Sequence, residues 1–314
     1  MPGGHGEGTG VPRSASPAPA ARTAGSGAEG CGDVNHDNEE AFSSSGDLGL
    51  RLAALGPRGA TTPEDFALRV LRRAGISRSR YDTYVRLETA AGGLFVAFGP
   101  EAVTGAELEA RHGPGRERLT PQWFEESHRR RVGRSAIPTD RAPAGLRPAL
   151  RTGRARHLAI DLSGLPVDER AVLEAVRSIP PGQLRPVSWI AREAGLPPGP
   201  DARAVVRSLA RNPATVLVPC HRATHDDGTP CDAAYAREAG DALRGAEGID
   251  MVTVRQWARG GDTLLGSDTT HIYCHPTCAH ARRITPAHRV PFRTARDAHR
   301  AGYRACKSCR PVAA

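Results

Sequence analysis

The residues of this chain best suited to chemistry are sulfur donors in two settings. The first is Cys220, in Val218-Pro219-Cys220-His221-Arg222, just after the apolar run Val216, Leu217 and Val218. A thiol attacks as thiolate, and an adjacent His can take its proton, so Cys220 and His221 read as a nucleophile and its base. The competing reading is a core Cys that happens to precede a surface His, and the pair alone does not separate the two. The second setting is Cys274-x3-Cys278 and Cys306-x2-Cys309, two tight thiol pairs. Four thiolates at such spacing suit a tetrahedral Zn2+. His275, His280, His288 and His299 intervene and leave a mixed site as the alternative. The all-thiolate set of Cys274, Cys278, Cys306 and Cys309 is simpler.

The elements that must position these sulfurs are unevenly legible. Residues 1–46 are rich in Gly, Ala, Ser, Pro and Thr, bury too little to offset chain entropy, and are expected to be disordered, with Cys31 incidental. Residues 47–80 form a helical lead-in: Thr62 caps a helix with Pro63 in its first turn, Phe66, Val70 and Leu71 on its apolar face, and Gly75 at its end. Tyr81 to Phe98 reads as a β-hairpin around Ala91-Gly92-Gly93. Residues 111–150 are polar and Arg- and Pro-rich, a loop with short helices. Leu158–Leu162 has a strand pattern, and 168–179 a helical one, with Ala171, Val172, Ala175, Val176 and Ile179 on one face. Ser188–Ala194 and a helix capped by Asp201 and running through Arg211 then form a helix-turn-helix pattern.

Charge points to an anionic partner. The chain of 314 residues carries a formal net charge of +9, and Lys307 is its only lysine. Such Arg bias can follow gene composition, so clustering is the better signal. Arg282, Arg283, Arg289, Arg293, Arg296, Arg300, Arg304, Lys307 and Arg310 stand against Asp297 alone in the C-terminal segment, a phosphate-binding footprint. No apolar run is long enough to span a bilayer, and the N-terminus lacks a secretory layout. Seven cysteines, four of them within 274–309, then read as metal or catalysis in a reducing cytoplasm, and no membrane partner is expected.

These strings resemble two families. Residues 157–249 are similar to the catalytic domain of O6-alkylguanine-DNA alkyltransferases. The carriers are Ile160-Asp161-Leu162-Ser163-Gly164, Ala202-Arg203-Ala204-Val205, Arg211-Asn212-Pro213, the Pro-Cys-His-Arg string at 219–222, and Ala246-Glu247-Gly248. The resemblance implies an alkyl transfer from guanine O6 in double-stranded DNA to Cys220, with His221 as base through a water and Glu247 orienting it. It further implies that Asn212 ties the nucleophile loop, that Arg203 fills the gap left by the flipped base, and that Arg222 lies with Arg203 among the DNA contacts. Two departures stand out. Val187 replaces a family Tyr, and Cys231-Asp232-Ala233-Ala234 replaces the Gly, Tyr and Ser of the guanine pocket, with Tyr235 displaced. Cys231 is either a passive small residue, the favoured reading, or a partner for Cys220 on oxidation.

The segment from Gly266-Ser267-Asp268-Thr269-Thr270 through Cys274-His275-Pro276-Thr277-Cys278 and Val290-Pro291-Phe292 to Cys306-Lys307-Ser308-Cys309 resembles the metal-binding module of Ada-type methylation-response proteins. That resemblance implies Zn2+ on four cysteines, with Cys274 accepting methyl from a DNA methylphosphotriester. The expected architecture is α+β and multidomain. An alkyltransferase N-terminal subdomain (81–156) leads to a helix-turn-helix-type catalytic domain (157–252) and a small four-cysteine zinc module (253–314), in a monomer. The rival reading is a non-enzymatic alkylation-damage binder, or a methyl-switched regulator, whose guanine pocket has degraded.

Overall fold

The computed structural model describes residues 66–110, 119–197 and 202–312, all within the compact unit Thr61–Ala314. The expected disordered segment, Cys31, the Thr62–Asp65 helix start and the Asp201 cap lie outside these residues. Helix α1 (Phe66–Arg73) ends where Gly75 turns left-handed, with Ile76 N–H returning to Leu71 O at 3.0 Å. Its expected inward face is corrected: Phe66 and Val70 are half exposed, and no residue of the helix is buried.

The hairpin is present as β1 (Tyr81–Thr89) and β2 (Gly92–Phe98), with Gly92 at positive φ in the turn. It belongs to a larger sheet. β3 (Val103–Leu108) pairs antiparallel to β2, and β4 (Ser135–Pro138) pairs parallel to β1, giving the order β3-β2-β1-β4. Between β3 and β4 runs α2 (Pro121–Val132), capped by Thr120 and closed by left-handed Gly133. This is a longer helix than the sequence suggested for 111–150, where α3 (Leu146–Thr152) also falls.

Both faces of the sheet are covered, which is why β2 buries five consecutive residues instead of alternating. Tyr84, Phe95 and Ala97 meet Phe124 of α2 on one face. On the other, Val85, Leu87, Leu94 and Val96 join one continuous core with the helices that follow. Those are α4 (Val167–Arg177), α5 (Val187–Glu193) and α6 (Ala202–Ala210), which bury Val172, Leu173, Val176, Ile190, Val205 and Leu209. Truncating one of these, such as Leu209→Ala, costs about 2–5 kcal/mol. The expected strand at 158–162 is corrected. Only Ile160 bridges, to Val103, because Leu158 N–H already turns back to Ala155 O at 3.1 Å and Leu165 N–H to Leu162 O at 3.0 Å.

Downstream, α7 (Arg237–Ala246) leads to α8 (Met251–Gly260), which runs across the expected junction at 252–253 and is capped by Asp250. Before them, the short strands β5 (Arg185–Pro186) and β6 (Ala223–Thr224) pair in parallel. Then β7 (Leu264–Ser267), β8 (Ile272–Cys274), β9 (Arg289–Phe292) and β10 (Arg304–Ala305) form a second sheet in the order β10-β8-β7-β9, with α9 (Ala295–Arg300) before the last strand. Gly266 lies so close to Phe292 and Tyr303 that a Cβ there would sit 2.7 Å from the Phe292 ring. Among the described residues no helix is long and apolar enough to cross a membrane.

Candidate functional site

The Cys220 loop is built on the open edge of the first sheet. Ala106 of β3 donates to Pro213 O and accepts from Thr215 N–H, each at 2.9 Å, so residues 213–215 run alongside β3. Asn212 then ties the loop inside. Its Oδ1 accepts from Ala214 N–H at 2.9 Å, and its Nδ2 donates to Val218 O at 3.0 Å and to Cys220 Sγ at 3.1 Å. Pro219, at φ −82° and ψ 65°, is the centre of an inverse γ-turn that Cys220 N–H closes on Val218 O at 2.8 Å. A one-turn 3-10 helix, Cys220–Arg222, follows.

Val216 in this loop has φ 71°, a costly region for a β-branched residue. Its N–H donates to the hydroxyl of Tyr235 at 3.2 Å, and the Tyr235 ring meets His221 edge-on at 6.1 Å. Tyr235, displaced in sequence, thus braces the nucleophile loop from inside. Burial pushes its phenol well above the ordinary range. Sequence reasoning missed this role, because only the left-handed Val216 shows what the hydroxyl holds.

Cys220 is buried and free, and burial pushes its thiol up to about 12, against the Asn212 bond. His221 Nε2 lies 3.0 Å from Glu247 Oε1. The carboxylate accepts, so Nε2 carries the hydrogen and Nδ1 is left as the base atom. That Nδ1 is buried with no partner among the described residues. Burial pulls the His221 pKa down, against the pull of Glu247, which keeps the imidazole neutral. For Glu247, burial raises the pKa, but the bonds from His221 and Arg222 outweigh it and hold the carboxyl at about 2.

Arg222, expected at the DNA, is placed in the interior. Its guanidinium donates to Glu247, to Ile179 O at 2.6 Å and to Gly153 O at 2.6 Å, and the residue is buried. It holds Glu247, whose Oε2 also accepts from Gly182 N–H at 2.9 Å. Arg203 is exposed on α6. Arg244, a second buried guanidinium, was not singled out in the sequence. It donates to His221 O at 2.7 Å and pairs with Asp232, so it ties the altered 231–234 loop to the nucleophile turn. Cys231 is buried beside Cys220, with its thiol pushed up by burial. Val187, also buried, opens α5. A cavity of about 890 Å3 between the first sheet and the catalytic helices reaches His221, Glu247 and Val216.

The second centre gathers Cys274, Cys278, Cys306 and Cys309, all buried, with their sulfurs within 4.8 Å of one another. Such a donor set fits a tetrahedral thiophilic cation. Thiols this close cannot all ionise alone: hydrogen bonds from Cys274 and Cys309 pull Cys278 down, while the same contact pushes Cys274 up. The four histidines are not members of the group. His275 N–H donates to Cys309 Sγ at 3.4 Å, His280 Nδ1 lies 3.6 Å from Cys306 Sγ, His288 pairs with Asp268, and His299 meets the Tyr273 hydroxyl. A cavity of about 510 Å3, lined by Ser267, Thr269, Thr270, His280 and Arg283, reaches Cys274 and none of the other three sulfurs.

Comparison with known proteins matches both centres. Residues 168–249 fit the family model of the 6-O-methylguanine DNA methyltransferase DNA-binding domain. Residues 249–312 fit that of the metal binding domain of Ada. The chain is 38% identical over 69 residues to a methylated-DNA–protein-cysteine methyltransferase of Methanothermobacter thermautotrophicus, covering 22% of this chain and 37% of the relative. It is 40% identical over 65 residues to the enzyme of that name from Mycobacterium leprae, covering 21% and 38%. The chain therefore spans under two fifths of these curated relatives. Among solved structures it is similar to the O6-methylguanine methyltransferase of Mycobacterium tuberculosis, with a TM-score of 0.39, 24% identity, and coverage of 53% and 92%. It is also similar to the O6-methylguanine-DNA methyltransferase of Pyrococcus kodakaraensis, with a TM-score of 0.36, 19% identity, and coverage of 54% and 99%.

Proposed function

We propose that this chain repairs double-stranded DNA by moving an alkyl group from guanine O6 onto Cys220, once per molecule. The observation that carries this reading is the relay Arg222–Glu247–His221, with an unpartnered Nδ1 on the residue that follows the buried Cys220. A thiol near 12 is almost wholly protonated at neutral pH. His221 Nδ1 takes its proton through one water, and Glu247 balances the imidazolium that forms. Asn212 Nδ2 supports the sulfur as charge builds on it. The S–C bond forms as the C–O6 bond breaks, and the proton ends on the released guanine ring. Cys220 becomes a stable thioether, so each molecule acts once. A base must leave the stack to reach a buried sulfur, and we assign to Arg203, exposed on α6, the role of filling the gap. We assign Arg222 to positioning Glu247 instead of contacting DNA.

Cys274, Cys278, Cys306 and Cys309 would hold Zn2+, which keeps thiolates nucleophilic at neutral pH. Cys274 is the acceptor of the four for a methylphosphotriester, because a cavity lined by hydroxyls and Arg283 opens onto it. We place the work in the cytoplasm, on a monomer. Incubating the chain with O6-methylguanine duplex carrying a labelled methyl should put the label on the Cys220 peptide. A chain that binds the lesion and never gains the label would be the non-enzymatic binder instead.

A further inference from the structure

The metal-type centre is docked onto the first helix of the helix-turn-helix through both of its cysteine turns. Thr277, between Cys274 and Cys278, accepts from Leu184 N–H at 2.7 Å. Arg310, next after Cys309, pairs with Glu193 of α5, and Arg192 donates to Arg310 O at 2.7 Å. Between these two ties lies Arg185, the first residue of the two-residue strand β5 (Arg185–Pro186) that leads into α5.

Arg185 is an odd residue to bury. It is 3% exposed. Its guanidinium donates to Leu184 O at 2.7 Å and Gln183 Oε1 at 2.5 Å and lies 5.5 Å from the centre of the Trp189 ring. Its Nε has no partner, and no carboxylate pairs with it among the described residues. A buried cation without a counter-charge is strongly destabilising. The opposite charge lies across the junction. Burial lowers the proton affinity of Arg185, and Cys309, Cys278, Cys306 and Cys274 each pull it back up. Four thiolates around a divalent cation keep two net negative charges, which must also be balanced.

We propose that Arg185 is the buried counter-charge of the four-cysteine metal centre, supplied from the alkyltransferase-like part of the chain. The centre is then a two-part structure: the sulfurs come from 274–309, and the positive charge that stabilises them as thiolates comes from the approach to α5. This inference rests on the reading that the four cysteines hold a cation.

The test uses the full chain and Co2+ as probe, read by its sulfur-to-metal charge-transfer absorbance and by competition with a chelator. Arg185→Met removes the charge and keeps the length. Affinity should fall about tenfold or more, as with other partners that support metal ligands. Arg185→Lys restores charge without the fork and should recover most of that loss. Labelling of Cys220 serves as the fold control, since Arg185 is not part of that site. Equal Co2+ affinity in wild type and Arg185→Met overturns the proposal, and so does equal weakening by Met and Lys, which marks a packing role. If wild type binds no Co2+ at all, the metal reading fails and the counter-charge falls with it.

Discussion

The chain presents sulfur in two opposite ways. At Cys220 one thiol is buried and protonated, next in the chain to a neutral imidazole whose carboxylate partner is held by Arg222. At 274–309 four thiols crowd together and need a cation to ionise. On the proposed function, the first would keep its nucleophile latent until a substrate arrives and a proton moves. The second would keep thiolates standing by dispersing their charge into a metal. The contrast is then between two solutions to one problem, a soft nucleophile that survives at neutral pH, and each would make a different residue indispensable.

Removing a sulfur should separate them most sharply. Cys220→Ala should abolish O6-methylguanine repair while DNA affinity stays within about twofold, measured by gel shift against repair of labelled duplex. Repair at the wild-type rate would remove the assignment. Stripping the metal should act only on the other centre. The purified chain should carry about one Zn, and chelation should abolish amide protection across 264–311, whose core is small, while Cys220 still accepts alkyl. Persistence of hydrogen-exchange protection there in metal-free protein would make the sulfur cluster an ordinary core.

Smaller effects test how each nucleophile is supported. His221→Gln should slow transfer about 10²–10⁴-fold and remove the acid limb of the rate profile. A loss that leaves the pH profile intact would make His221 structural. Arg203→Ala should slow transfer from duplex DNA at least tenfold more than transfer from a free base analogue, and equal losses would indicate a folding defect. The mildest effect concerns acid. Glu247 sits at about 2 when folded against an ordinary 4.5, so its contribution is full above the higher value and lost as pH falls towards the lower. His221 is also depressed from 6.5, so the unfolded chain takes that proton first and the sign is the same. The melting temperature should fall by on the order of 5 °C between pH 7 and pH 4. A flat profile would mean that the relay is not formed.

What the sequence revealed follows from how local each signal is. The hairpin, the three helices between 167 and 210 and the four cysteines were legible, because alternation, capping and ligand spacing are local, whereas the helices at 237–246, 251–260 and 295–300 were not read. The parallel strand at 135–138 was not legible, since its partner lies far along the chain, and the edge strand at 103–108, although it pairs with neighbouring β2, was not because Gly105 interrupts its short apolar pattern. Leu158–Leu162 alternates like a strand, yet turns at both ends leave it one bridge. The resemblance set Arg222 among the DNA contacts, whereas a buried carboxylate holds it in the interior. Arg244 and Arg185 were invisible for a related reason. In a chain so rich in arginine, nothing in the sequence marks the few that are internal.

The most direct test exposes one sample to duplex containing O6-methylguanine and another to duplex carrying methylphosphotriesters, then reads methyl on each cysteine peptide by mass spectrometry. We expect the first to label Cys220 alone and the second Cys274 alone. Methyl from O6-methylguanine on any cysteine but Cys220, or on none, would contradict the division of labour between the two centres.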